Sequence, residues 1–254
     1  MSPSVTCSSS HTHSSRSKFY LAVGVSALLS TQAFAVAVPI ANASFEGPNA
    51  LGQVALPDID SWTDTLPPQG NQVTGVYYNY PTLENGSPSP DYHPNMDGNQ
   101  AAYIFMAPGA GIFQDLAAPA AKFTIGQSYR FTVGIIGDGG DMPDGTTMRI
   151  SLYYRDALNT MQKVGFTDIV NSHALFPDRV NFRDFTFNIP TVATSDAWAN
   201  KQIGILFAAQ TALGGYYDVD NVRLEAIPEP ASAWLLGAGL AMWGGLRRRR
   251  HGRA

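Results

Sequence analysis

The side chains in this chain that could do chemistry are aromatic and acidic rather than nucleophilic. Tyr77, Tyr78, Tyr80 and Tyr92 lie close together in an irregular stretch, residues 49–99, rich in Pro, Gly, Asn and Ser, with Trp62 upstream. Aromatic rings held on a rigid face stack on sugar rings, offering a large contact area with little rotamer freedom to lose. The alternative is that the tyrosines cap the edge of a core; Trp62 itself reads as core. So long an irregular stretch within a compact domain is either functional or disordered.

Groups for bond-breaking chemistry are sparse. Between residues 36 and 226 the histidines are His93 and His173, with no His-rich metal spacing and no Gly-x-Ser-x-Gly elbow. Nineteen acidic side chains supply many carboxylate pairs of the kind glycoside hydrolysis uses. Acids at that abundance ordinarily solvate a surface, so the expectation is a protein that is not an enzyme. Residues 137–145 form an acidic, Gly-rich segment expected to be a turn between two strands. Its carboxylates are spaced by three rather than two, with no later Glu, unlike an EF-hand loop.

The elements that must position these groups read as short strands. Segments 101–106, 112–115, 128–136, 147–154, 181–189, 202–208 and 216–224 are β-type runs bounded by Gly, Pro, Asn and Asp. In Tyr129-Arg130-Phe131-Thr132-Val133 large apolar and polar residues alternate, and Phe185-Thr186-Phe187-Asn188-Ile189 does the same. Period-two alternation turns one face to a core and the other to water. Several such strands with turns between them predict an all-β fold, an antiparallel β-sandwich or jelly roll.

The domain of 36–226 is long enough for one good core. Cys7 is the only cysteine, so disulfides do not stabilise that domain. Nine Lys and Arg against nineteen acids give it a net charge of −10, which excludes nucleic acid as a partner because binding it needs a cationic footprint. Divalent cations and neutral sugars fit such a surface.

Both ends carry targeting patterns. Arg16 and Lys18 precede an apolar stretch and Ala33-Phe34-Ala35, the order of a secretory signal peptide, expected to span 1–35 with cleavage after Ala35. At the other end, Pro228-Glu229-Pro230 leads into the apolar run 231–246, closed by Arg247, Arg248, Arg249 and Arg250. A helix over that run reaches about 24 Å at ~1.5 Å per residue, short of a hydrocarbon core of about 30 Å. Gly237, Gly239, Gly244 and Gly245 weaken it further. It reads as a transient transmembrane helix with its arginines on the cytoplasmic side.

This tail, 227–254, resembles the PEP-CTERM sorting signal of Gram-negative bacteria with exopolysaccharide-rich envelopes. The resemblance implies the secretion machinery and a membrane-embedded exosortase as partners, cleavage near Pro228-Glu229-Pro230, and export to the cell surface or extracellular matrix. Within the domain, Asn42-Ala43-Ser44-Phe45-Glu46, Ile59-Asp60-Ser61-Trp62, Asp97-Gly98-Asn99 and the closing Asp218-Val219-Asp220-Asn221-Val222-Arg223-Leu224 resemble the carbohydrate-binding-module-like, galactose-binding-type jelly roll. That resemblance implies a structural Ca²⁺ where first and last strands meet, with Glu46, Asp220 and Asn42 as its side-chain ligands. Calcium takes six to eight oxygens, so backbone carbonyls would complete the shell; the alternative is that Glu46 and Asp220 make strand-end hydrogen bonds only. The expected function is an exported, non-enzymatic envelope or extracellular-matrix protein with extracellular polysaccharide as its ligand. A structural biofilm or cell-surface protein making protein contacts only, and a secreted hydrolase, are the alternatives.

Overall fold

The computed structural model describes residues 34–66, 73–139, 141–211 and 213–228. The signal peptide up to residue 33, Glu229, Pro230, the apolar run and the arginines at 247–250 lie outside the described residues. Among the described residues, eleven strands form two antiparallel sheets. The first contains β1 (Val36–Ala37), β3 (Thr74–Tyr78), β4 (Gln100–Phe105), β6 (Gln127–Gly139), β9 (Arg183–Ile189) and β11 (Tyr216–Pro228). Its order is β3-β4-β11-β6-β9, with β1 also paired to β11. The second contains β2 (Thr63–Asp64), β5 (Gly111–Asp115), β7 (Thr147–Arg155), β8 (Met161–Val170) and β10 (Gly204–Ala209), in the order β2-β5-β10-β7-β8.

The core sits between the sheets and follows from alternation. On β6, Tyr129, Phe131, Val133 and Ile135 point inward; Ile205 and Phe207 of β10 and Met148, Ile150 and Leu152 of β7 face them from the other sheet. Phe131 meets Phe187 and Phe207 at ring-centroid distances of 5.4 and 6.2 Å. Full burial of such side chains contributes roughly 1.5–3 kcal/mol each. Trp62 lies between Phe45 (5.3 Å) and Phe207 (5.5 Å), so the expectation that it belongs to the core holds.

The all-β sandwich expected from the sequence is the fold observed. Four strands escaped the sequence reading: the two-residue β1 and β2, and the longer β3 and β8. β8 is an edge strand whose exposed positions include Lys163, and its apolar alternation is weak for that reason. β3 lies inside the stretch expected to be irregular. The acidic segment 137–145 is also corrected: residues 137–139 complete β6 rather than a turn, because they pair with β11 as far as Gly139 opposite Tyr216.

One strand sets the polarity of everything that follows. The Tyr217 hydroxyl lies 2.7 and 3.0 Å from the carbonyls of Thr146 and Ile169, reaching across to the second sheet. Tyr217 and Val219 therefore face the core, and successive strand residues alternate. Tyr216, Asp218 and Asp220 must face the outer side of the first sheet. Register shifts on both sides of this segment, between Tyr216 and Asp218 and between Asp220 and Arg223, re-aim these side chains locally.

Candidate functional site

The outer face of the first sheet carries a row of unlike groups at one level. Asp218 on β11 pairs in register with Tyr103 on β4 and with Ile136 on β6. Their strand neighbours Ala102, Ile104, Ile135 and Val219 belong to the core, so these three point outward. Tyr77 on β3, next to core residue Val76, joins them on the same face one position along, opposite Ala101. The chain between β3 and β4 then folds back over this face, held by paired side-chain amides. Asn79 bonds both the N–H and the carbonyl of His93 at 2.9 Å. Asn95 does the same to Phe182, also at 2.9 Å.

Between sheet and cover lies a cavity of about 750 Å³, bordered by Tyr77, Tyr78, Tyr80, His93, Tyr103, Phe105, Tyr216 and Asp218. Its size and mixture of aromatic walls with a few polar groups suit a small organic molecule. A glycine helps shape it: a Cβ at Gly139 would lie 2.6 Å from the Tyr216 ring, so that ring rests on β6 only because the position has no side chain.

Asp218 is the electrostatic centre of the cavity. It is 7% exposed, and burial pushes its pKa up to about 8, a rise the Tyr77 hydroxyl partly opposes. At neutral pH the carboxyl is protonated, a proton donor in an aromatic enclosure. The Tyr77 hydroxyl is driven well above its ordinary value by burial and then by the charges of Asp218 and Asp220. Tyr77 Oη and Asp218 Oδ1 are both buried without a partner of good hydrogen-bond geometry, although the two groups are near enough to interact electrostatically. Buried polar atoms ordinarily find partners, and exceptions concentrate where a ligand or water completes the set.

His93 completes the polar inventory. Its Nδ1 lies 3.0 Å from the Val180 carbonyl. A carbonyl only accepts, so Nδ1 carries the hydrogen and Nε2 the lone pair. Burial lowers the His93 pKa, keeping the ring neutral. Tyr77 and Phe182 meet it edge-on at 5.8 and 5.5 Å.

The residues singled out in the sequence are partly brought together. Tyr77, Tyr78 and Tyr80 border the cavity, with the Tyr78 and Tyr80 rings 4.7 Å apart and tilted by 48°, and the Tyr80 hydroxyl accepting from the Gly52 N–H at 2.6 Å. Tyr92 is exposed and is not among the cavity-lining residues. Glu46 and Asp220 converge on the loop before β4. Glu46 Oε1 accepts from the N–H groups of Asn99 (2.7 Å) and Gln100 (2.8 Å), and Asp220 accepts from those of Asp97 and Asn221 (2.6 Å each). Gly98, at φ +92°, permits this clasp; a Cβ there would stand 2.3 Å from Glu46 Oε1. Asn42 instead braces a turn, bonding the carbonyls of Gly47 (2.7 Å) and Asp60 (2.9 Å). Among the described residues no group of three or more His, Cys, Asp or Glu side chains is arranged to hold a metal ion.

Asp218, His93, Tyr103 and Tyr216 were not identified as site residues from the sequence. One signal was available: in Tyr217-Asp218-Val219-Asp220, strand alternation puts two acids on one face of a strand whose other face is core. Acids so placed near the middle of a sheet are buried only when something covers them.

A family model described as HpiC1-like: HpiC1 cyclase matches residues 36–225. A second, the PEP-CTERM protein-sorting motif, matches residues 226–250, in agreement with the tail resemblance; the motif implies exosortase processing, export and cell-surface anchoring. No curated protein matches the chain. Among solved structures, the Stig cyclase Fisc from Fischerella sp. TAU, in complex with (3Z)-3-(1-methyl-2-pyrrolidinylidene)-3H-indole, is 21% identical. It superposes with a TM-score of 0.58 over 77% of this chain and 99% of its own. A cyclase from Fischerella sp. TAU in complex with 4-(1H-indol-3-yl)butan-2-one is 22% identical, with a TM-score of 0.56 over 76% and 98%. A carbohydrate-binding module solved with β-1,4-galactotriose superposes at a TM-score of 0.40 and 13% identity over 73% of this chain and 95% of its own. The expectation of a non-enzymatic protein is thereby overturned: the matching family is one of cyclases, and its solved relatives are enzymes. The sparse histidines and missing serine elbow misled because they test for hydrolytic machinery, and a cyclase family is not one of hydrolases.

Proposed function

This chain belongs to the HpiC1-like cyclase family, and from that premise we propose that it is an exported acid-initiated cyclase acting on an indole that bears an unsaturated side chain. The observation that carries the reading is Asp218: buried, protonated at neutral pH, with one oxygen unpartnered, in a cavity walled by aromatic rings. Asp218 donates its proton to a carbon–carbon double bond, and the resulting cation is stabilised by the faces of the surrounding rings. The cavity folds the side chain against the indole and excludes the water that would otherwise trap the cation. The indole comes from the molecules with which the Fischerella cyclases were solved. Incubating the protein with 3-(3-methylbut-2-enyl)indole and its longer geranyl counterpart tests the reading. An isomeric, ring-closed product from the wild type and none from Asp218→Asn supports it; unchanged substrate in both dismisses it.

A second reading concerns the mouth of the same cavity. The tilted Tyr78–Tyr80 pair, with Tyr80 38% exposed, supports polysaccharide binding at the rim. A glycan array that shows no binding, the producer's own matrix included, removes it. The alternative of cell-surface protein contacts predicts altered cell aggregation on deletion, with purified protein indifferent to sugars.

Calcium between Glu46 and Asp220 is retained as a proposal. Burial pushes Asp220 up to about 7, with the charges of Asp97 and Glu46 adding to the rise, and a divalent cation there would relieve this crowding by pinning the loop before β4 to β11. The amide bonds already held by the same carboxylates weigh against it. Melting in the presence of a chelator decides.

A further inference from the structure

We propose that His93 is the base that ends the reaction, removing through Nε2 the proton that the cyclised cation must lose. This rests on the reading of Asp218 as the initiating acid and adds its counterpart. Three observations on His93 converge. Its Nδ1–H is committed to the Val180 carbonyl at 3.0 Å, which fixes the tautomer and leaves the lone pair on Nε2. Every other polar contact of the residue runs through its backbone, to Asn79 and Met96, so among the described residues Nε2 makes no hydrogen bond. The ring borders the same cavity as Asp218.

The two groups stand on independent supports. Asp218 belongs to the sheet and His93 to the segment folded over it, with Tyr77 between the chemistries, its ring edge-on to His93 and its hydroxyl coupled to Asp218. An acid and a base bordering one cavity suit a reaction that takes a proton at one end of a molecule and loses one at another. Burial keeps the imidazole neutral, ready to accept.

For 3-(3-methylbut-2-enyl)indole the steps balance. The Asp218 O–H bond breaks as a C–H bond forms on the alkene, leaving a tertiary cation and a carboxylate. The C2=C3 π pair of the indole forms the new ring bond at C2. The C2–H bond then breaks, its electron pair restores the aromatic ring, and its proton passes to His93 Nε2. Product and substrate are isomers, and exchange with water returns imidazolium and carboxylate to their starting forms.

The experiment compares wild type, Asp218→Asn, His93→Gln and His93→Ala on this probe in D₂O, with products resolved by chromatography and mass spectrometry. Wild type should give one cyclised isomer carrying one deuterium from the initiating acid. Asp218→Asn should lose consumption of the probe by about 10²- to 10⁴-fold. Both His93 variants should still consume it, while the cyclised isomer gives way to the tertiary alcohol from water capture and to alkene isomers. Unchanged product from a folded His93 variant, with Asp218→Asn inactive, overturns the role of His93 alone; unconverted probe with wild type overturns both readings. Nitrogen-15 NMR of the wild type gives a readout independent of the variants. A protonated Nδ1 and bare Nε2 on His93 are expected, and a hydrogen on Nε2 at neutral pH overturns the assignment.

Discussion

The hydroxyl of Tyr77 and the carboxyl of Asp218 act on each other across the floor of the cavity, in opposite senses. The charge of Asp218 raises the tyrosine pKa, while the tyrosine hydroxyl steadies the carboxylate and holds the Asp218 pKa below where burial alone would put it. The two residues lie on β3 and β11, separated by β4. Removing the hydroxyl with Tyr77→Phe therefore raises the apparent pKa of Asp218. The alkaline limb of the pH–rate profile should move to higher pH, and a limb that stays in place would separate the two groups.

Asp218 also predicts how stability varies with pH. Its folded pKa, about 8, lies above that of an unfolded carboxyl, ~3.9, so the folded state binds the extra proton between those values. That contribution is fully present below about pH 4 and is lost as pH rises toward 8. Asp220, pushed up to about 7, acts in the same direction. Unfolding free energy should fall with rising pH by on the order of 1 kcal/mol per unit for each acid across that window. Urea melts from pH 5 to 8 should show the decline, and Asp218→Asn should make it shallower.

Chelation tests the clasp between first and last strands. If Glu46 and Asp220 share a calcium ion, ion at 100 times its dissociation constant contributes about 2.7 kcal/mol. Excess chelator should then lower the melting temperature by several degrees. An unchanged midpoint leaves the two carboxylates as acceptors for backbone amides only.

Trp62 is wedged between Phe45 and Phe207 in the core. Trp62→Ala should cost about 3–5 kcal/mol in a urea melt, through lost burial and the void left behind. Trp62→Phe should cost distinctly less. A near-neutral alanine variant would move Trp62 out of the core and restore a binding role.

The tail makes a prediction about processing. Pro228 is still paired with β6, opposite Gln127, so the sorting motif begins where the last strand stops. Mass spectrometry of the protein recovered from cells should find a C-terminus close to Pro228, Glu229 and Pro230, with the arginines at 247–250 removed. Full-length chains held in the inner membrane would count against the transient-anchor reading.

The sequence by itself determined the sandwich, the core and the sorting tail, because each is written in neighbouring residues. Alternation along β6 needs only the period of a strand, and the order Pro-Glu-Pro, apolar run, arginines needs no fold at all. Tertiary structure alone decided the site. Asp218 looks like one acid among nineteen until β4 and β6 flank it and the segment between β3 and β4 roofs it over, removing the water that would keep it ionised. His93 is an ordinary loop histidine until the Val180 carbonyl, distant in sequence, takes its Nδ1 hydrogen. Proton affinity depends on what surrounds a group in space, and burial by residues far along the chain leaves no local mark in the sequence.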